Sequence, residues 1–85
     1  MTEIEEKIVK IITSEMRLDE PVALTDNLSD LNADSLDRAE IIFSIEDEFG
    51  IELNIPNRET AMSIFVTVQS VADYVKDVLQ KQSTV

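Results

Sequence analysis

Residues 31–52 read LNADSLDRAEIIFSIEDEFGIE, and the fold turns on this stretch. Its first residues are polar and turn-forming. From Leu36 the apolar residues recur at helical spacing, which predicts a helix from about Leu36 to Phe49. Ala39, Ile42, Ile45 and Phe49 are the expected inward stripe, with Ile41 beside it. Asp37, Glu40, Asp47 and Glu48 are left outside. Asp34 or Ser35 can cap the helix, because either side chain can accept from free amides of the first turn. Gly50 supplies the left-handed stop.

Three more helical segments flank it. The first is expected from Glu3 to Arg17, where Thr2 and Glu5 have the spacing of a capping box. Ile4, Ile8, Ile11, Ile12 and Met16 share one face of it. Leu18 to Asp34 has no period and contains Pro21, so it reads as a long loop. Val22, Leu24, Leu28 and Leu31 are its expected anchors on the core, since a loop of that length in a small domain needs them. Ile51 to Asn57 is expected to be extended, and a short helix follows near Arg58 to Met62. The last helix starts after Thr67 and runs to about Leu79, burying Val68, Val71, Ala72, Val75 and Val78 or Leu79. The expected architecture is all-α: a small four-helix bundle of three main helices and a short third, with a long first loop. Residues 1–80 form one domain in this reading, and 81–85 a flexible tail.

The inventory excludes most chemistry. The 85 residues contain no cysteine and no histidine, which removes thiolate sites, a Ser-His-Asp triad and the preferred zinc ligands. Gly50 is the only glycine, so no glycine-rich phosphate loop exists. Asp30, Asn32 and Asp34 alternate as in a calcium loop. The sixth position of that loop is then Ser35 instead of glycine, and the twelfth is Ile41 instead of glutamate, so calcium and other metal sites are not expected. No enzyme is expected. The acidic N-terminus lacks the order of a signal peptide, and no apolar run approaches membrane-spanning length. A cytoplasmic protein without membrane insertion is the expectation.

Seven basic against eighteen acidic residues give a net charge of −11. Between Leu18 and Asn57 the only basic residue is Arg38. Such a surface repels nucleic acid and is steered toward basic protein patches. Ser35 then stands out, at the junction of a polar loop and an acidic helix. Position alone is satisfied by a helix cap. A phosphate-linked group on its hydroxyl would also meet the amides and positive end of the helix, against like charge from Asp34 and Asp37.

The Asp34-Ser35-Leu36 triplet, the acidic amphipathic helix through Glu46-Asp47-Glu48-Phe49-Gly50, and the Thr67–Val71 start of the last helix together resemble an acyl carrier protein. The resemblance spans nearly the whole chain. It implies a covalent 4'-phosphopantetheine arm on Ser35, added by a phosphopantetheinyl transferase with Asp34 near that enzyme's magnesium. It implies acyl cargo held as a thioester on the arm and a monomeric carrier. The second helix would meet acyl-loading and acyl-transferring enzymes through their basic docking patches, by way of Leu36, Asp37, Arg38, Glu40, Phe43, Glu46, Asp47 and Glu48. The bundle interior could shelter an acyl chain.

Three features depart from the family pattern. Asn32 stands where a glycine is usual, Arg38 adds a positive charge just after Asp37, and the region 50–67 is longer and richer in apolar residues. They suggest a specialised bacterial carrier, serving fatty-acid or specialised acyl or polyketide synthesis. Aminoacyl or peptidyl cargo is the alternative, and an unmodified acidic interaction module is the reading from a different class.

Overall fold

A computed structural model describes residues 1–55 and 57–83, with the side chains of Arg58, Gln82 and Ser83 left out. Pro56, Thr84 and Val85 lie outside the described residues, and with them part of the expected tail. The described chain forms α1 (Glu3–Glu15), α2 (Ser35–Phe49), α3 (Arg58–Ile64) and α4 (Val68–Ser83). The protein is an all-α bundle in which α1 packs on both α2 and α4, and α3 packs on α4.

Local chemistry sets the helix ends. Thr2 caps α1: its hydroxyl accepts from the Glu5 N–H at 3.2 Å, and the Glu5 carboxylate accepts from the Thr2 N–H at 2.9 Å. The helix stops at Glu15, two residues before the expected end, and Arg17 takes a left-handed φ of 55°. Asn57 caps α3 through a 2.8 Å bond from the Thr60 N–H. That helix reaches Ile64, two residues beyond expectation. Thr67 caps α4 by accepting from the Ser70 N–H at 3.0 Å, and α4 continues past Leu79 to Ser83.

The core is built from Ile8 and Ile12 of α1, Ile41 and Ile45 of α2, Val68, Val71 and Val75 of α4, with Leu28 and Phe65 from the connections. All of these are essentially closed to solvent. The inward stripe of α2 therefore differs from the expectation. Ile41 and Ile45 face the core, whereas Ala39, Ile42 and Phe49 are only partly buried. On α1, Val9 joins the core ahead of Ile4 and Ile11.

The long loop is ordered by non-local bonds. Val22 and Leu28 are buried, and Leu24 and Leu31 pack against the core, as the sequence predicts. Thr13 donates to the Val9 carbonyl and accepts from the Val22 N–H, which pins the start of the loop to α1. Three backbone bonds tie its middle to the α3–α4 junction: Leu28 to Val66, Val68 to Asp26, and Gln69 to Leu24. A single antiparallel bridge pairs Asn27 with Thr67 between them.

The segment after Gly50 has no strand partner among the described residues. Its alternating Ile51 and Leu53 are buried. The backbone of Leu53 is instead satisfied by side chains: its N–H donates to Glu46 of α2 at 3.0 Å, and its carbonyl accepts from the Tyr74 hydroxyl of α4 at 2.8 Å. Buried peptide groups need such partners. The segment is thereby held as a wall alongside α2.

Candidate functional site: the start of the acidic helix and its adjoining cleft

The corner before α2 is fixed by turns. Asn32 adopts φ 63°, the left-handed region that glycine tolerates best and asparagine next best. This explains how Asn32 can stand where the family pattern has glycine. Ala33 is buried, and its N–H bonds to the Leu28 carbonyl at 3.1 Å.

Asp34 is the cap of α2. Its carboxylate accepts from the Asp37 N–H at 2.8 Å, and the Asp37 carboxylate accepts in return from the Asp34 N–H at 3.2 Å. Of the two capping candidates, the structure thus selects Asp34. Ser35 is the first residue of the helix and is exposed. Among the described residues no hydrogen bond engages its side-chain hydroxyl. A serine here is not needed to close the helix end, and its oxygen is open to an incoming reagent.

A helix advances about 100° per residue, which sorts the side chains of α2 into three faces. Leu36, Glu40, Phe43 and Asp47 share the outward face. Ile41 and Ile45 share the core face. Ser35, Arg38, Ala39, Ile42 and Glu46 share a third face, which lines an open cleft of about 740 Å³. The opposite side of the cleft comes from residues 51–55, with Asn57, Ala61 and Met62 beyond them. Ser35 thus stands on the helix face that opens into the cleft.

The outward face carries two large apolar side chains, Leu36 at 66% and Phe43 at 67% exposure. Seven residues apart, they lie about 10 Å from one another along the helix axis. Glu40, Asp47 and Glu48 are exposed around them, and Asp37 is half-buried in the cap. Arg38 and Glu46, expected on the same surface, sit elsewhere. Both are partly buried in the cleft wall, and Glu46 is occupied with Leu53. The Nε of Arg38 is covered by protein and has no hydrogen-bond partner, the one such side-chain atom among the described residues. Leaving a buried donor unmet costs about 1–3 kcal/mol, more for a charged group.

The rest of the electrostatics supports the bundle. Ser44 of α2 donates to Glu15 of α1 at 2.7 Å. Lys7 lies over the Phe49 ring at 5.5 Å. The Glu5 carboxyl is held below the ordinary carboxylate range, chiefly by the Thr2 backbone N–H and next by the Gln69 side chain. Among the described residues, no group of three or more Asp or Glu is arranged to hold a metal ion. No described helix is long and apolar enough to cross a membrane.

The sequence signals missed two features of this site. The cleft needs the 51–55 segment beside α2, and nothing local announces that pairing. Met62 was visible only as part of an apolar run, and the structure places it on α3 at the lining of the cleft.

Comparison with known proteins matches this arrangement. Residues 6–78 match the family described as phosphopantetheine attachment site. Over 80 residues the chain is 38% identical to acyl carrier protein 1, chloroplastic, of Casuarina glauca. That alignment covers 92% of this chain and 56% of the relative, so the chain spans little more than half of the relative's length. Members of the family hold 4'-phosphopantetheine covalently on a serine, and they are carriers, not enzymes. With its four-helix bundle, capped acidic helix and match over most of its length, this chain belongs to the phosphopantetheine attachment-site family, that of the acyl carrier proteins.

Proposed function

We propose that Ser35 carries the 4'-phosphopantetheine arm and that the protein delivers acyl intermediates to partner enzymes. One observation supports this above the others: Ser35 exposes an unbonded hydroxyl on the face of α2 that lines the cleft. The residues present fit the group. Asp34 and Asp37 cap the helix without using Ser35, and the cleft beside it has room for a chain. When bound, the arm supplies a terminal thiol that holds cargo as a thioester.

In the loading reaction, the Ser35 hydroxyl oxygen attacks the phosphorus of coenzyme A that bears pantetheine. An O–P bond forms at Ser35, the pyrophosphate bond breaks, 3',5'-ADP leaves, and the serine proton passes to a base on the transferase. Asp34, next to the attacking oxygen, would face the transferase's magnesium. Leu36 and Phe43 would fill apolar pockets on partner enzymes, within a rim formed by Asp37, Glu40, Asp47 and Glu48. Arg38 and Glu46 would join that interface from the cleft side. Acidic charge on this scale speeds encounter with basic patches and makes docking salt-sensitive. The proposed setting is a cytoplasmic monomer whose carrier domain spans residues 1–80, working in fatty-acid or specialised acyl synthesis.

Intact mass after incubation with coenzyme A and a phosphopantetheinyl transferase tests the reading. One phosphopantetheine should be added per chain, and Ser35→Ala should abolish the gain. An unchanged mass across several transferases would overturn it.

A further inference from the structure

Arg38 holds a buried donor that docking alone does not explain. It lies in the wall of the cleft with Ala39, Ile42 and Leu53, one helical turn from Ser35. Among the described residues it has no ion pair, although it sits in the most acidic part of the chain. Its Nε is buried and unpaired. A guanidinium carries five donors and no acceptor, so that need is met by an oxygen, and a group seated in the cleft can bring one. Elsewhere among the described residues the buried side-chain polar groups have partners, and even the lone peptide of Leu53 is bonded at both ends.

Charge narrows the acceptor. Glu46 and Glu52 also line the cleft, so an anionic group would meet two carboxylates along with the one cation. A neutral oxygen meets the donor without that repulsion. A purely saturated chain would fill the apolar part of the cleft and leave the donor unmet.

We propose that Arg38 is a specificity residue of this cleft, and that its guanidinium takes an uncharged oxygen, a hydroxyl or carbonyl, on the pendant chain. Nε is covered in the unloaded protein, so the side chain turns about its terminal torsions to make the bond. The oxygen can come from the acyl cargo or from the amides of the arm itself. The inference rests on Ser35 as the attachment site and says what the cleft beside it prefers.

The test uses the full chain in four forms: unmodified, carrying the arm with a free thiol, loaded with hexanoyl, and loaded with 3-hydroxyhexanoyl. Intact mass first verifies loading. Failure to load counts against the attachment site, not against this inference. The nitrogen-15 and proton resonances of Arg38 Nε–H are then followed, with the rate at which hydroxylamine cleaves each thioester. If a hydroxyl of the cargo supplies the oxygen, the Arg38 signal shifts with the 3-hydroxyacyl group and not with hexanoyl. The hydroxylated thioester should then be protected about two- to tenfold more than the saturated one, the range expected from one net hydrogen bond. Arg38→Met, which keeps a long apolar stem without a donor, should remove that difference. If the thioester carbonyl supplies the oxygen, both loaded forms shift and the free-thiol form does not. If the arm supplies it, the shift appears in the free-thiol form and persists in both loaded forms. Loaded protein in which the Arg38 signal stays where it is in the unmodified chain overturns the proposal. If Arg38→Met does not fold, the wild-type Nε signal alone decides.

Discussion

The wall of the cleft should depend on one hydroxyl 21 residues away from the peptide it holds. Tyr74→Phe removes the donor to the Leu53 carbonyl and leaves the ring in place. The bond is 2.8 Å long and partly buried, and the Leu53 side chain is almost closed to solvent. The lost bond and the unmet carbonyl together should cost about 1–2 kcal/mol. In a domain of this size each kcal/mol lowers Tm by roughly 4–8 °C, so a fall of about 4–16 °C is expected. The Leu53 N–H is held separately, by Glu46, at 3.0 Å. Glu46→Ala therefore acts on the same peptide. The two substitutions should not add: once one end of the segment is free, the second bond is already weakened, and the coupling should exceed the ~0.5 kcal/mol expected of independent sites. Urea unfolding of the wild type, both single variants and the double variant measures this. The amide exchange rate of Leu53 gives a local readout. A Tyr74→Phe protein as stable as the wild type, or strictly additive variants, would refute the claim that these two side chains hold the segment.

Other substitutions test other parts of the molecule. Gly50 has φ 64°, and a methyl group there would touch nothing within 4 Å, so Gly50→Ala should cost about 1 kcal/mol from backbone strain alone, with Gly50→Asn milder; equal stability of Ala and Gly variants in urea would contradict this. Because the Glu5 carboxyl titrates lower in the folded chain, it stabilises the fold above the ordinary carboxylate value, and that contribution disappears as pH falls through the lowered one. Glu5→Gln should therefore flatten the acid side of the stability–pH curve, and superimposable curves would show that the carboxyl plays no such part. Leu36→Ala and Phe43→Ala remove exposed side chains, so each should change stability by no more than about 0.5 kcal/mol while weakening binding to a loading enzyme in titration calorimetry. Undiminished binding by both variants would remove them from the docking face.

Much of this molecule was legible in short windows of sequence. Thr2 with Glu5 and Asp34 with Asp37 close their helix starts through bonds that span three residues, the first as its spacing predicts and the second at one of the two candidate caps. Gly50 takes the left-handed conformation that ends α2. Such signals need no neighbour from elsewhere in the chain. Val22 and Leu28 were legible as loop anchors because a polar loop rarely spares buried aliphatic side chains for any other purpose.

The faces of α2 were not legible in the same way. Ile41, Ile42 and Ile45 spread apolar surface over two adjoining faces, and removal from water favours burying either one. Periodicity placed Ile42 inward and Ile41 beside it. In the structure Ile41 meets the core, and Ile42 is left for the cleft. Arg38 moves with that rotation, from an expected docking surface to the cleft wall. By itself the sequence determined the helices, the Thr2 cap, the Gly50 stop and the serine at the start of the acidic helix, because those follow from spacing and from bonds between near neighbours. Only the tertiary structure decided that Ser35, Arg38 and Ile42 share a cleft. That face exists because Glu46 and Tyr74, from two different helices, hold the Leu53 backbone in place beside it.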